Sequence, residues 1–177
     1  MEKPFIFTTP NIKYKETYLS GIKEFQQEGR HLEDDVNDLE NNFEKYVEKC
    51  EADSRAKEID PKTGWVPQTI YWMIMDGKYL GRVSIRHFLN DKLLKLGGHI
   101  GYDVVPSERK KGYGTELLKY ALVKSKEMSL EKVLLTCDEE NIASRKIIEK
   151  CGGVLENIVP GEKEGDCSKC RFWISLV

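Results

Sequence analysis

One segment of the chain, from Val104 to Thr115, joins a predicted strand to a predicted helix through a proline turn, three consecutive cations and two glycines. Pro106 ends the strand, because proline cannot donate a hydrogen bond to a β-ladder. The helix that follows Gly112 begins with N–H groups that have no intrahelical partner, and its dipole places about half a positive charge at that end. The segment therefore predicts an anion-binding turn between a strand and a helix.

Two features of this turn suit a phosphate group. Gly112 and Gly114 have no Cβ, so an oxygen atom can approach the backbone closely, and the neighbouring cations supply countercharge in a chain whose net charge is −2. The predicted phosphate-contacting residues are Arg109, Lys110, Lys111, Gly112, Tyr113, Gly114 and Thr115. Two better-known phosphate loops are excluded. The segment has no G-x-x-x-x-G-K-[ST] motif, and Leu117 stands where a dinucleotide fingerprint needs its third glycine.

Hydrophobic periodicity along the chain indicates an α+β protein. Helical spacing covers residues 14–25, 32–47, 112–128 and 141–151, and strand patterns cover residues 69–75, 79–88, 99–105, 132–136, 154–159 and 171–177. No linker or internal repeat divides the sequence, so the predicted architecture is a single domain over residues 1–177. Its helices are expected to cover the faces of one central mixed sheet.

Composition limits the classes of function. The 28 Lys and Arg residues nearly cancel the 30 Asp and Glu residues, so the chain lacks the overall basic field of a nucleic-acid-binding protein. No apolar run approaches the roughly 20 residues of a membrane helix. The five cysteines are an odd and scattered set, which favours reduced thiols and a cytoplasmic location. We therefore expect neither a nucleic-acid partner nor a membrane partner.

The spacing Arg109-x-x-Gly112-x-Gly114 resembles [Gln/Arg]-x-x-Gly-x-[Gly/Ala], the acetyl-CoA pyrophosphate loop of the GNAT superfamily of N-acetyltransferases. The resemblance is clearest from Trp65 to Gly153, where the predicted elements follow the family's order. It implies a single GNAT-like domain with a mostly antiparallel sheet of about seven strands flanked by helices. It also implies acetyl-CoA as the acetyl donor, no metal, and a small-molecule or peptide amine as the acceptor.

Four residues take cofactor-binding roles from this resemblance. Asn141-x-x-Ser144 resembles the family motif that opens the helix after the fifth strand, where the Asn side chain hydrogen-bonds the pantetheine arm. Asn141 also suits a plain helix N-cap, and the two readings are compatible. Val104 and Val105 are expected to offer backbone groups to the pantetheine, which would extend the sheet like an added strand.

Acetyl transfer to an amine needs a proton acceptor, because an ammonium group is not a nucleophile. Gly98-His99-Ile100-Gly101 matches the register in which many relatives place a catalytic Glu, so His99 is the candidate general base. Histidine has an ordinary pKa of about 6.5, near the value that a base needs at neutral pH. The alternative is a hydrogen-bonded strand histidine. The residue that protonates the CoA thiolate is unassigned, since Ile148 occupies the position where relatives often have a Tyr.

Two residues are candidates for contacting the acceptor. Arg86 lies in a predicted strand and could hold a substrate carboxylate bidentately, or form an ion pair with an acidic helix. Trp72 could wall an acceptor pocket or pack in the core. Cys167 and Cys170 have the spacing of a metal knuckle, but the sequence has no second pair of ligands, so no metal site is expected.

Two other functions stay open at this point, as does a homodimer. A catalytically weak acyl-CoA-binding protein is consistent with the missing Tyr. A phosphate- or nucleic-acid-binding module would use Arg109, Lys110 and Lys111 without any acetyl transfer.

Overall fold

Seven strands and five α-helices make up the described part of the chain, which in the computed structural model comprises residues 4–58, 60, 62–163 and 165–177. The strands are β1 (Ile6–Thr8), β2 (Gln68–Met75), β3 (Lys78–Arg86), β4 (Ile100–Val104), β5 (Lys132–Asp138), β6 (Val154–Val159) and β7 (Lys169–Ser175). The helices are α1 (Lys15–Gln27), α2 (Val36–Asn41), α3 (Phe43–Arg55), α4 (Tyr113–Glu127) and α5 (Ile142–Lys150). The predicted α+β class is confirmed. None of the described helices combines the length and apolar character that a membrane span needs.

The strands form two antiparallel sheets, with the orders β1-β2-β3-β4 and β5-β7-β6. The seven strands and flanking helices are as expected, but the single mixed sheet is corrected to two sheets. They meet where Gly98 and Leu135 form an isolated bridge. Among the described residues β4 and β5 form no ladder with each other, which leaves a cleft between two strand edges.

The hairpin between β2 and β3 forms as its sequence predicts. Asp76 and Gly77 have φ values of 51° and 77°. Positive φ at both central residues is typical of the tight turn whose twist matches that of the flanking strands. The resulting register places Val83 and Ile85 in a fully buried layer, while Arg82 and its alternate neighbours lie on the other face of β3.

Two hydrophobic cores cover the two faces of the first sheet. The larger one contains Leu117 of α4, Ile148 of α5 and Phe172 of β7. The smaller one contains Phe25 of α1 and Trp72 of β2. Burying one side chain of this size contributes about 1.5–3 kcal/mol, so each core holds its own set of helices against the sheet.

The first strand was not among the predicted elements. Strand β1 pairs with β2, with Ile6 opposite Ile74. It has three residues, which is too short for an alternating pattern to be recognised. Its position at the sheet edge depends on its pairing with β2 and not on a pattern in its own three residues.

The helix predicted over residues 32–47 is two helices. The side chain of Asp35 accepts a hydrogen bond from the Asn37 N–H, so α2 begins after Asp35 and Leu32 lies exposed outside it. Asn42, with φ −123° and ψ 31°, then separates α2 from α3. The apolar spacing continues across this break, which is why periodicity alone does not detect it.

Candidate active site

The cleft between β4 and β5, called here the β4–β5 cleft, is the candidate active site. Its narrow end is closed by His99, whose backbone N–H donates to the Leu134 carbonyl over 2.7 Å and whose Nδ1 accepts from the Leu134 N–H over 2.9 Å. Beyond this contact a pocket of about 200 Å³ opens between the strands. The residues that line it are Ile100, Gly101, Tyr102, Thr136, Cys137, Asp138, Asn141, Ser144 and Lys169.

Gly98 allows the two strands to approach this closely. Its φ of 69° is left-handed, and a Cβ atom there would clash with the carbonyl oxygen of Leu134. His99 then bonds both backbone groups of Leu134, in the place where a neighbouring strand would bond them. Because a side chain stands in for strand backbone here, the ladder stops and β4 separates from β5.

The edge of β4 that faces the cleft carries backbone groups available to a ligand. The Val105 N–H donates to the Leu80 carbonyl of β3 over 2.9 Å. Alternate residues of an antiparallel strand turn their N–H and C=O groups to opposite sides, so Tyr102 presents both of its groups to the cleft. Val104 presents its N–H, because its C=O accepts a hydrogen bond from Arg109 Nε over 3.2 Å. The prediction for Val104 fits this edge. The prediction for Val105 is wrong, because its C=O also accepts from the Glu108 N–H and its side chain is buried.

The turn after β4 forms a backbone nest for an anion. Lys110 and Gly112 have positive φ values of 64° and 86°, and such alternation turns successive N–H groups toward one concavity. Within the described chain, the N–H groups of residues 110–114 have no hydrogen-bond acceptor. Thr115 differs, because its N–H donates to the Gly112 carbonyl and only its hydroxyl is left for a ligand. Consecutive free donors at the start of α4 suit phosphate oxygens.

The cations of this turn are not a bare basic patch. Arg109 forms a bidentate ion pair with Glu28, the residue that follows α1, at 2.7 and 3.0 Å. Lys111 lies 2.7 Å from Glu108, which also pairs with Lys78. Burial alone would raise the pKa of Glu108, but hydrogen bonds from the two lysines outweigh it and lower that pKa. These carboxylates argue against an open surface for nucleic acid. Arg109 can still bind a phosphate, provided that the phosphate replaces the carboxylate of Glu28.

The two glycines of the turn have different roles. A Cβ at Gly112 would meet nothing within 4 Å, so the left-handed backbone requires this glycine and the space beside it is open. A Cβ at Gly114 would lie 2.9 Å from Cδ1 of Ile147, so this glycine lets α4 pack against α5. Tyr113 packs its ring inward, with its hydroxyl 3.9 Å from the sulfur of Met75, and therefore offers a ligand only its N–H.

The opposite wall of the pocket is the start of α5. The Oδ1 of Asn141 accepts a hydrogen bond from the Ser144 N–H over 3.0 Å, so Asn141 is the N-cap of α5 and also lines the pocket. The Ser144 Oγ lies 2.8 Å from the hydroxyl of Tyr102. Sequence reasoning singled out Asn141 and Ser144 but missed Tyr102, which reads there as an ordinary strand residue.

Residues 30–154 match the family model described as "Acetyltransferase (GNAT) domain". The chain belongs to this family. No curated protein matches the sequence.

Solved structures share the GNAT fold over nearly the whole chain. The microcin C7 self-immunity acetyltransferase MccE, in complex with acetyl-CoA and AMP, is 16% identical, with 99% of this chain and 93% of that chain covered and a TM-score of 0.70. The yncA protein of Salmonella typhimurium, with acetyl-CoA, is 13% identical, with coverages of 98% and 94% and a TM-score of 0.67. An N-acetyltransferase of Staphylococcus aureus Mu50 is 15% identical, with coverages of 98% and 99% and a TM-score of 0.66.

In this GNAT acetyltransferase His99 is a structural residue. It is 9% exposed, and burial, with a smaller contribution from the Arg86 guanidinium, lowers its pKa to about 4. Its Nδ1 lone pair accepts the Leu134 N–H, so the neutral ring carries its proton on Nε2 and has no free lone pair for an amine proton. The environment contradicts the prediction of His99 as general base and favours the alternative, a hydrogen-bonded strand histidine.

The two residues predicted to contact the acceptor also have other partners. Arg86 donates to the carbonyls of Gly97 and Gly98 at 3.3 and 3.0 Å, and burial lowers its pKa. It therefore supports the turn before β4, and among the described residues it forms no ion pair with an acidic helix. Trp72 is 0% exposed and stacks on Tyr18 with ring centroids 4.5 Å apart, so it belongs to the core and does not line the β4–β5 cleft.

The face of β4 that carries Asp103 holds an ion-pair cluster, called here the His31–Asp103 cluster. Asp103 lies 3.3 Å from Nε2 of His31 and 3.5 Å from Arg82, and it also pairs with Arg30. Its contacts with Asp103 and Asp34 raise the pKa of His31, although the Arg82 guanidinium, 3.1 Å from its Nδ1, acts in the opposite direction. Burial alone would raise the pKa of Asp103, but His31 and the two arginines outweigh it and lower that pKa. The cluster holds the segment between α1 and α2 against β4.

Proposed function

We propose that this GNAT acetyltransferase transfers the acetyl group of acetyl-CoA directly to an amine. One observation carries the proposal: the free donors of residues 110–114 lie next to the cleft-facing edge at Val104 and Tyr102, which leads into the β4–β5 cleft. This order of chemistries corresponds to the pyrophosphate, the pantetheine amides and the thioester of acetyl-CoA. The residues present therefore fit the donor along its whole length.

Each part of this track has a defined task. The N–H groups of residues 110–114 bind phosphate oxygens, and Arg109 and Lys110 add countercharge. The backbone of Tyr102 and the N–H of Val104 bond the pantetheine amides as a strand partner would. Asn141 and the start of α5 form the opposite wall. Holding the thioester in this pocket converts acetyl transfer into a step between oriented groups, which is a major source of rate enhancement.

The acceptor in this proposal is an amine of a small molecule or a peptide. Its nitrogen must be neutral before it attacks the thioester carbonyl, because an ammonium group has no lone pair. We assign this deprotonation to water, since the Nδ1 lone pair of His99 is bonded to Leu134. A cytoplasmic location is part of the proposal, in line with five cysteines that are all free thiols.

Two measurements test the proposal. Acetyl-CoA at about 100 times its Kd should stabilise the folded chain by about 2.7 kcal/mol, which raises Tm by about 5–10 °C for a domain of this size. A pantetheine fragment without phosphates should raise Tm much less, because it cannot use residues 110–114. A screen of amines with acetyl-CoA should then release free thiol. Equal shifts from both ligands would contradict the phosphate site.

The same screen separates the proposal from a catalytically weak acyl-CoA-binding protein. Such a protein would show the full Tm shift with acetyl-CoA and no thiol release above the rate without enzyme for small amines, amino acids or peptides. Thiol release that depends on one class of amine supports acetyl transfer and identifies the acceptor class.

Replacing Glu28 by Gln should tighten acetyl-CoA binding. Glu28 occupies two nitrogens of Arg109, and a phosphate must displace it. Exposed ion pairs contribute about 0.2–1 kcal/mol, so the expected gain in affinity is about 1.5- to 5-fold by titration calorimetry. Glu51→Gln removes an exposed pair with Arg55 on α3 and should leave Kd unchanged. Unchanged or weaker binding by Glu28→Gln would show that Arg109 does not contact the phosphate.

A further inference from the structure

Two hydroxyl groups meet inside the β4–β5 cleft. Tyr102 projects from β4 and Ser144 from the first turn of α5, and their oxygens are 2.8 Å apart. Both residues line the pocket and both are half-buried. Their positions are held from several sides, because Asn141 bonds the Ser144 N–H and the Tyr102 ring lies against Gly114 of α4. The pair is therefore a fixed feature of the pocket wall.

Burial is the main influence on the acidity of Tyr102. It raises the pKa of the phenol to about 12, although the bond to Ser144 acts in the opposite direction. Tyr102 is therefore fully protonated at neutral pH, and its O–H can donate to the Ser144 Oγ. The Ser144 O–H then has two acceptors within reach, the Cys137 sulfur beside it and a group bound in the pocket.

Other groups in this part of the molecule are less suited to donate a proton. The Thr136 hydroxyl already donates to the Leu96 carbonyl over 2.8 Å. Ile148 occupies the position where relatives often have a Tyr, and it is 0% exposed in the core. Cys137 is 8% exposed, and burial raises the pKa of its thiol to about 11. Among these groups, the Tyr102–Ser144 pair combines a hydroxyl chain with a place on the pocket wall.

We propose that Tyr102, acting through Ser144, supplies the proton that the CoA sulfur takes up when it leaves. This inference rests on the proposed acetyl transfer and adds to it the proton donor that the sequence did not identify. The Ser144 O–H faces the sulfur, and Tyr102 replaces the proton that Ser144 gives up.

The step balances without any further reactant. The amine nitrogen forms a bond to the thioester carbonyl carbon, and the C–S bond then breaks with its electron pair moving to sulfur. The sulfur takes the Ser144 proton, Ser144 takes the Tyr102 proton, and the proton lost by the amine nitrogen returns to Tyr102 through water. The products are the acetamide and CoA as a free thiol, and both hydroxyls are restored.

Tyr102→Phe and Ser144→Ala test the pair. Each should lower kcat by about 10²-fold, at the low end of the usual contribution of a positioned acid, while the KM for acetyl-CoA and the acetyl-CoA-induced Tm shift stay at the wild-type values. The double variant should lose no more than either single variant, because the two hydroxyls act as one unit. Tyr71→Phe is the matched control. It removes a half-buried phenol packed on Tyr120, outside the cleft, and should leave kcat unchanged.

Each other outcome overturns a specific statement. A wild-type protein that releases no thiol with any amine overturns the proposed function, and this inference with it. A wild type that turns over, with unchanged kcat in Tyr102→Phe or Ser144→Ala, overturns the inference alone. Losses that multiply in the double variant, or that follow a lower Tm or a smaller acetyl-CoA shift, would show that the hydroxyls support packing and do not transfer a proton. Should Tyr102→Phe fail to fold, Ser144→Ala with the same readouts decides the question.

Discussion

Asp103→Asn is expected to lower the free energy of unfolding by about 3 kcal/mol, the usual loss when one partner of a buried ion pair is removed. The Asp103 side chain is 15% exposed and that of His31 is 7% exposed. Without the carboxylate, the Arg82 guanidinium keeps a charge that water cannot reach fully, and His31 loses the partner that most stabilises its charged form. Denaturant unfolding of both proteins near pH 5.5 measures the difference.

The same cluster makes stability depend on pH in two directions. The pKa of Asp103 is lowered on folding, so its contribution is present above the unfolded value of roughly 3.9 and is lost as pH falls toward the folded pKa. The pKa of His31 is raised on folding, so its contribution is present below the unfolded value of roughly 6.5 and is lost as pH rises through the folded pKa. The difference between wild type and Asp103→Asn should therefore be largest between about pH 4 and 6.5.

Two observations would contradict this account. Glu51→Gln breaks an exposed ion pair on α3 and should lower the free energy of unfolding by less than about 1 kcal/mol at any pH. If Asp103→Asn lowers it by no more than Glu51→Gln, the His31–Asp103 cluster is not effectively buried. A wild-type and variant difference that stays constant from pH 4 to 8 would remove His31 and Asp103 as the titrating groups. His99 is present in the wild type and in Asp103→Asn, so its contribution to the free energy of unfolding cancels when one is subtracted from the other.

Gly112→Ala is expected to weaken acetyl-CoA binding by at least about tenfold, or 1.4 kcal/mol. An Ala at φ 86° costs roughly 1–2 kcal/mol in the left-handed region. Relaxing that strain turns the N–H groups of residues 110–114 away from one another. The new methyl group would also occupy the open space beside the turn, where the phosphate is proposed to bind. Titration calorimetry with acetyl-CoA measures the loss.

Gly64→Ala is the matched control for this variant. Gly64 has φ 69°, and a Cβ there, as at Gly112, would meet nothing within 4 Å, but Gly64 lies in the segment before β2. Both variants should lose similar amounts of stability, and only Gly112→Ala should lose affinity. Normal binding by Gly112→Ala would show that the anion site has been placed wrongly.

Much of the fold and one half of the site could be predicted because their causes are local. The turn at Asp76 and Gly77 depends on the backbone preferences of two adjacent residues. The anion nest depends on Gly112 and on the free N–H groups of the helix that follows it. Asn141 caps α5 through a bond to a residue three positions away. In each case the interacting groups lie within one or two turns of chain.

The assignments that failed depend on partners far away in the sequence. His99 matches a catalytic register, but its lone pair is bonded by Leu134, 35 positions along the chain. Arg86 and Trp72 carry groups that could bind a substrate, yet turn carbonyls and an aromatic core occupy them. Strand alternation indicates which face a side chain takes, and it contains no information about what packs on that face.

The sequence by itself determined the family, most of the order of elements and the backbone nest after β4, because hydrophobic period, glycine conformation and helix-end charge are properties of short stretches of chain. Only the tertiary structure decided which side chains are free to react. Tyr102 and Ser144 become a hydroxyl pair across 42 positions, and His31 meets Asp103 only when the α1–α2 segment folds over β4. Burial and hydrogen bonding set the pKa and the available lone pairs of each group, and both are decided by neighbours that the fold brings together.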